Sequence, residues 1–116
     1  MKAWRFDTLD GLNDLNLREE ADPQPQRGEV LVRVRAVSLN FRDIAMVRGR
    51  YPRPCLPGLI PTSDGAGEIV AVGEGVTSFK PGDRVIGAFH PRWFGGEMPV
   101  TAQKDSYGAE NDGWLT

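Results

Sequence analysis

Breaks in the backbone pattern, made by proline and glycine, limit this chain more than any other feature. Nine prolines and 14 glycines stand among its 116 residues, well above an ordinary combined share of roughly 12%. Residues 21–28 contain two prolines and residues 51–58 contain three, so neither stretch can form a regular helix or a paired strand. A helical bundle is therefore excluded, and we expect short elements separated by many turns.

The stretches between these breaks have the alternating pattern of β-strands. The clearest is residues 30–37, where the apolar residues at even positions, ending with Ala36, share one face and two arginines share the other. Further strands are predicted at residues 1–6, 15–17, 65–72, 84–89, 98–101 and from 113 onward. Because an apolar strand end without a partner is a liability, the last of these predicts that the chain is part of a longer protein.

One segment has the pattern of a helix. Residues 40–49 begin with Asn40 as a candidate N-cap, carry Asp43 in the first turn and end at Gly49, a residue type favoured after a helix. Capping alone would account for both Asn40 and Asp43. The residues themselves therefore predict a mainly β fold, a barrel or sandwich with one short helix.

Composition excludes several classes of protein. With a single Cys55 and a single His90, the chain cannot hold a disulfide framework or a multi-cysteine zinc site. Its apolar runs are far shorter than the roughly 18 residues that cross a bilayer, and its first residues lack a signal-peptide pattern. The net charge of −2 is not that of a nucleic-acid-binding protein. We therefore expect a cytoplasmic protein that binds neither membranes nor nucleic acid.

Two short motifs resemble a catalytic loop or a cofactor-binding loop, but each lacks a glycine that such a loop requires. Gly65-Ala66-Gly67 lacks the third glycine of a dinucleotide loop, because Val70 stands there, and a strand rather than a helix follows. These glycines instead predict close strand packing. Ser63 lacks the preceding glycine of a nucleophile elbow, since residue 61 is proline, so a substrate contact or a polar loop residue is the better interpretation.

Four arginines lie close together around the helix, at Arg42, Arg48, Arg50 and Arg53. Such a group is typical of a solvated face. A patch for an anionic ligand or partner is the alternative interpretation.

Several segments together resemble the medium-chain dehydrogenase/reductase superfamily. They are residues 1–4, 36–43 and, most specifically, the block from Gly65 to Val85 that includes Lys80-Pro81-Gly82-Asp83. The chain is similar over nearly its whole length to the N-terminal GroES-like catalytic domain of that superfamily. The resemblance implies a partly open β-barrel with one short helix. It also implies that residues 1–116 form an incomplete domain of a two-domain enzyme, with the Rossmann cofactor domain and the C-terminal return segment outside the chain.

The chain departs from the zinc-dependent members at two positions. Asn40 stands where they have a cysteine ligand, and Thr62-Ser63-Asp64 stands where they have Gly-His-Glu. An amide and a hydroxyl are poor replacements for a thiolate and an imidazole around Zn²⁺. The chain therefore resembles the zinc-independent branch, which includes quinone oxidoreductases and enone reductases.

This resemblance implies an NADP- or NAD-dependent oxidoreductase without zinc. It would transfer hydride to a small quinone, enone or carbonyl substrate, with a homodimer as the full-length protein. By their match to the family's cleft, Asn40 and Tyr51 are the predicted catalytic residues, Asn40 and Arg42 would contact the cofactor, and Ser63 and Asp64 would line the substrate cleft. Two alternatives remain: a stand-alone GroES-like binding or assembly module, and an alcohol dehydrogenase with non-standard metal ligands.

Overall fold

A computed structural model describes residues 1–53 and 55–116. It confirms a mainly β fold built from two small open sheets. The strands are β1 (Lys2–Phe6), β2 (Leu15–Glu19), β3 (Val30–Ser38), β4 (Asp64–Val72) and β5 (Arg84–Ile86). The helices are α1 (Phe41–Val47), α2 (Val100–Gln103) and a single 3₁₀ turn at Leu12–Asp14. In the described ranges neither α-helix is long or apolar enough to cross a membrane.

The first sheet is the antiparallel pair β1–β2, in which Trp4 lies opposite Leu17. The buried residues of β1 are Ala3 and Phe6, at 0% and 3% exposure. Phe6 also bridges to Leu59 in the loop before β4. The first strand is thereby attached to the segment that leads into the second sheet.

The second sheet has the order β3–β4–β5, with antiparallel neighbours throughout. Its register slips twice, and one slip leaves Arg35 without an opposite residue between Val34 and Ala36. A bulge of this kind reverses the faces of the residues that follow it. The prediction that Ala36 shares the inner face is therefore wrong, since Ala36 is exposed and Val37 is the partly buried residue.

Glycines permit close packing in this sheet, as the sequence predicted. A β-carbon at Gly67 would lie 2.3 Å from the carbonyl oxygen of Arg33 on the neighbouring strand. The turn between β4 and β5 also forms as predicted. Gly82 has a φ of +94° and the Asp83 N–H donates to the Lys80 carbonyl at 3.1 Å, which agrees with a type II turn.

Helix α1 begins after Asn40, and Gly49 follows it with a φ of +61°, so the predicted helix and both its end residues are confirmed. The Asp43 carboxylate accepts the N–H of Asn40 at 2.8 Å, which satisfies a backbone donor at the start of the helix. Ala45, Met46 and Val47 are buried, so the second half of the helix is packed on most of its circumference. Packing rather than propensity therefore holds this seven-residue helix in place.

Three strand predictions are wrong in whole or in part. Helix α2 occupies the segment predicted as a strand near residues 98–101, because the Pro99 carbonyl accepts the N–H groups of Ala102 and Gln103. Strand β5 ends at Ile86 rather than at residue 89. Trp114 does not begin a strand, and its N–H donates to Pro61 and Thr62.

Candidate functional site

The end of β3, the start of α1 and the turn into β4 bring three of the predicted site residues together. The Asn40 side chain donates from Nδ2 to the Asp64 carboxylate at 2.6 Å and to the Ser38 carbonyl at 3.4 Å. The Ser63 hydroxyl donates to the same Asp64 oxygen at 3.2 Å. Asn40, Ser63 and Asp64 thus form one connected group, which we call the amide–carboxylate cluster.

The members of this cluster differ in their access to solvent. Ser63 is only 1% exposed, whereas Asn40 and Asp64 are half-buried. Both donors reach Oδ2 of Asp64, and no residue in the described ranges donates to Oδ1. Oδ1 of Asp64, on a half-buried side chain, is therefore an acceptor that the cluster can offer to a ligand.

Thr62, directly before the cluster, has a strained backbone. Its φ is +71°, a region that a β-branched residue rarely occupies, and its exposure is 1%. Such strain costs about 1–3 kcal/mol and persists only where surrounding structure imposes it. The strain sets the direction in which the chain enters β4 with Ser63 and Asp64.

Residues near the C-terminus impose this conformation. The Trp114 N–H lies within hydrogen-bonding distance of Thr62 Oγ1 at 3.2 Å and of the Pro61 carbonyl at 3.1 Å. The Gly113 N–H donates to Ile60 at 2.7 Å. The Trp114 ring covers Gly65, where a β-carbon would lie 2.4 Å from it. The segment 113–115 therefore holds the loop that carries Ser63 and Asp64.

Asp43 lies beside the cluster and is linked to it through Asn40. Its exposure is 7%, and Oδ1 is buried without a partner in the described part of the chain. Burial raises the pKa of the Asp43 carboxyl, the Asp64 carboxylate adds to the rise, and the Asn40 N–H and Arg42 oppose it. Burial and a neighbouring carboxylate both favour a protonated carboxyl.

Arg42 and Tyr51 form a second group, joined by the contact between their side chains. Arg42 donates to the Tyr107 carbonyl at 2.9 Å and to the Ser106 hydroxyl at 2.6 Å. Its guanidinium lies 4.6 Å from the ring centre of Phe89 and 5.3 Å from that of Tyr51. Arg42 thus ties α1 to the loop before the C-terminus, and its role toward a cofactor stays a prediction.

The other residues considered in the sequence analysis are either exposed or in contact with structural parts of the chain. Arg48 and Arg50 are exposed, while Arg53 contacts the Gln103 carbonyl and lies 3.8 Å from Glu110. His90 Nδ1 lies 2.9 Å from the Asp105 carbonyl. Burial raises the pKa of the Cys55 thiol, which disfavours the reactive thiolate. The four arginines around α1 therefore do not converge on a single anion site.

A cavity of about 900 Å³ lies away from the amide–carboxylate cluster. It opens between the two sheets and is lined by apolar side chains such as Val32, Ile69 and Val85. None of Asn40, Ser63 or Asp64 borders it. Geometry and hydrogen-bonding capacity mark the cluster as the candidate site, and the cavity is a gap between open sheets.

Two features of the site were not found from the sequence. Asp43 was interpreted as a capping residue, which it is, but its burial beside Asp64 depends on long-range packing. The strain at Thr62 leaves no local signal, since threonine is an ordinary strand residue. Only the nearby glycines, Gly108 and Gly113, whose β-carbons would meet the Thr62 carbonyl, could have indicated a close approach.

Comparison with known proteins points to one family. The family model described as "Alcohol dehydrogenase GroES-like domain" matches residues 26–111. A zinc-type alcohol dehydrogenase-like protein of Schizosaccharomyces pombe is 39% identical over 92% of this chain and 31% of its own length. A quinone oxidoreductase of Pseudomonas aeruginosa is 42% identical over 89% of this chain and 31% of its own length.

A solved structure agrees with these sequence relatives. A cobalt- and zinc-bound thermostable alcohol dehydrogenase from Pyrobaculum aerophilum superposes with a TM-score of 0.82 at 31% identity. The match covers 98% of this chain and 36% of that structure. The chain spans about a third of the length of the relatives named here. The shared fold is therefore that of one part of a longer enzyme in each of them.

Proposed function

Because the chain belongs to the alcohol dehydrogenase GroES-like domain family, we propose that it is the catalytic-domain part of an NAD(P)H-dependent oxidoreductase of the medium-chain type. The reaction proposed is hydride transfer to a quinone, enone or carbonyl substrate without zinc. The whole enzyme would add a Rossmann domain and a C-terminal segment. A homodimer and a cytoplasmic location stay predictions.

The amide–carboxylate cluster carries the proposal of zinc independence. By the sequence resemblance, Asn40 and residues 62–64 stand where the zinc-dependent members have metal ligands. The cluster instead offers an amide, a hydroxyl and one carboxylate. Asn40, Ser63 and Asp64 are hydrogen-bonded to one another, and no group of three or more His, Cys, Asp or Glu ligands occurs within residues 1–53 and 55–116. This donor set is poorly suited to Zn²⁺.

Without a metal, negative charge that develops on the substrate oxygen needs hydrogen-bond donors. The Asn40 N–H groups are engaged with Asp64 and Ser38, so Asn40 acts in this proposal by holding the cluster in place. The Tyr51 hydroxyl donates to none of the described residues and is the better donor. We assign it that role because it lies beside Arg42, whose charge favours a negative oxygen nearby.

The chain offers a partial fit to a nicotinamide cofactor. Leu39 and Phe41, on either side of Asn40, are exposed and could support an apolar ring. Gly65 and Gly67 lie within β4, so they cannot form a phosphate loop at a helix N-terminus, and the phosphates would be held by another domain. The bound cofactor would supply the hydride, while this chain would orient the substrate and exclude water.

Oxidation of NADPH by the intact gene product tests this function. A small quinone and an enone serve as substrates, each with and without a strong chelator. We expect turnover that the chelator leaves unchanged and that Tyr51→Phe reduces by roughly 10²-fold, the cost of one oxyanion donor. Turnover abolished by the chelator would favour the metal-dependent alternative, and no turnover with NADPH or NADH would overturn the proposal.

A further inference from the structure

A buried serine determines how the Arg42 side chain is held. Ser106 is 0% exposed, and its hydroxyl oxygen accepts a hydrogen bond from Nη2 of Arg42 at 2.6 Å. The same hydroxyl donates to Oε2 of Glu110 at 2.7 Å. Because a hydroxyl has a single hydrogen, the bond to Glu110 fixes its direction and leaves the oxygen lone pairs for Arg42. The three side chains therefore form a directed series of hydrogen bonds.

Glu110 is itself fixed at the end of this series. Its Oε2 also accepts the backbone N–H of Ser106 at 3.0 Å, and its own N–H donates to the Ser106 carbonyl at 3.3 Å. Its Oε1 lies 3.8 Å from Arg53. Ser106 and Glu110 thus hold each other through backbone as well as side-chain bonds, and the acceptor that Arg42 meets has a fixed position.

Two hydrogen bonds fix the plane of the Arg42 guanidinium. Besides its bond to Ser106, it donates from Nη1 to the Tyr107 carbonyl at 2.9 Å, and Nε is buried without a partner in the described ranges. A planar group with both terminal nitrogens engaged cannot rotate without losing a bond. Its central carbon is thereby held 4.6 Å from the ring centre of Phe89 and 5.3 Å from that of Tyr51.

We propose that Ser106 is a positioning residue of the site, which acts on Tyr51 through Arg42 and is itself oriented by Glu110. This proposal rests on the proposed function, in which the Tyr51 hydroxyl donates to the substrate oxygen. Such a donor is effective only when it is held in place before the charge develops. The Arg42 charge beside the Tyr51 ring supplies that constraint through a cation–π contact. Since Ser106 is fully buried, it does not touch the substrate itself.

Fluorine NMR of the chain labelled with meta-fluorotyrosine tests this positioning without turnover. The chain has only two tyrosines, Tyr51 and Tyr107, and Tyr51→Phe identifies the Tyr51 signal. We expect Arg42→Met to shift that signal, because it removes the charge from beside the ring. Ser106→Ala should shift it in the same direction, and should shift it no further when Arg42→Met is already present.

Arg92→Met is the matched control. Arg92 donates to Asp105 and Asn111 in the same loop, and it lies outside the series that ends at Arg42. A general loosening of the loop would shift the Tyr51 signal in this variant too. We expect that signal to keep its position, because the contact that reaches Tyr51 is left intact.

Glu110 provides a second way to disturb the series. Glu110→Ala removes the acceptor that orients the Ser106 hydroxyl, so it should also shift the Tyr51 signal. Glu110→Gln keeps an acceptor oxygen and should restore the signal of the unaltered chain. This pair decides the question if Ser106→Ala does not fold.

Turnover of the intact gene product gives an independent test. With NADPH and a small quinone, Ser106→Ala should lower kcat roughly tenfold, a part of the 10²-fold that a 1 Å misplacement costs. KM should change little, because the Tyr51 donor acts on charge that develops in the transition state. In the Tyr51→Phe background Ser106→Ala should lower kcat no further, whereas a merely structural role would lower it by the same factor.

An unmoved Tyr51 signal in Ser106→Ala, or an equal shift when Arg42→Met is already present, would overturn the positioning role. A shift of the same size in Arg92→Met, or a loss of kcat that persists in Tyr51→Phe, would overturn it as well. An unaltered enzyme without turnover would instead overturn the proposed function, and the fluorine signals would still decide whether Ser106 positions Tyr51.

Discussion

Substitution of Gly113 by alanine tests whether the C-terminal segment imposes the shape of the candidate site. A β-carbon there would lie 2.0 Å from the Thr62 carbonyl oxygen and 2.2 Å from that of Pro61. Ordinary contact begins near 3.4 Å, so backbone atoms on both sides must separate by more than 1 Å. Because the neighbours are backbone rather than side chain, no rotamer change can relieve the clash.

The magnitude follows from two costs and one gain. Overpacking of this kind costs about 1–3 kcal/mol, and weakening the Gly113 and Trp114 hydrogen bonds to residues 60–62 costs about 1 kcal/mol each. The smaller conformational freedom of alanine in the unfolded chain returns about 0.4–1 kcal/mol. We expect Gly113→Ala to lower the free energy of unfolding by about 3 kcal/mol.

Gly96→Ala is the matched control. Gly96 has a φ of +71° with open space around it, so alanine meets only conformational strain, about 1 kcal/mol. Urea unfolding followed by far-ultraviolet circular dichroism measures both variants. With a slope of about 1.5 kcal/mol/M, the Gly113→Ala midpoint should fall by about 2 M. A loss no larger than that of Gly96→Ala would refute the idea that this close approach shapes the loop.

Substitutions at three further residues test other contacts. Trp114→Ala should lower the free energy of unfolding by about 3 kcal/mol. Trp114→Phe should lower it by less than about 1 kcal/mol, because the indole N–H that it removes is buried without a described partner. Equal losses of stability for the two variants in urea unfolding would contradict this. Arg5 donates to Glu20 and Gly58 and is paired with Asp112, so Arg5→Met should cost about 2 kcal/mol, and an unchanged urea midpoint would argue against that network. Because the pKa of Asp43 is raised in the fold, its stabilising contribution is complete below the ordinary aspartate pKa and is lost as pH rises through the raised value. The unfolding free energy of the unaltered chain minus that of Asp43→Asn should therefore fall as pH increases from about 4 to about 7, and a difference independent of pH would count against a protonated Asp43.

Features with a local cause could be predicted from the sequence. Helix α1 was found with its N-cap Asn40 and the following Gly49, because capping and termination depend on a few adjacent residues. The turn at Lys80–Asp83 was found for the same reason. Close packing at Gly67 was predicted from residue type alone, although its partner, the Arg33 carbonyl, was not.

Features with distant causes were missed. The bulge at Arg35 reverses the exposure of Ala36, yet the alternation of residue types continues through it without a break. The strain at Thr62 depends on Gly108 and Gly113, more than 40 residues away in the sequence. Helix α2 replaced a predicted strand because four residues with mixed propensities take whichever structure the surrounding chain permits.

The sequence predicted some neighbours within the candidate site but not their hydrogen bonds. Asn40, Ser63 and Asp64 do lie together, but hydrogen-bond direction cannot be deduced from residue identity. An asparagine can donate or accept, and only the position of Asp64 shows that its N–H groups are already used.

The attachment of the first strand to the last residues has a consequence for synthesis of the protein on the ribosome. Trp4 donates to the Leu115 carbonyl, and Arg5 is paired with Asp112. Translation proceeds at roughly 5–20 residues per second, so β1 emerges many seconds before these partners exist. During that interval β1 has β2 as a neighbour but an open edge. Chaperone binding to this hairpin should therefore be strongest before residue 112 emerges and should weaken once residues 112–115 have emerged.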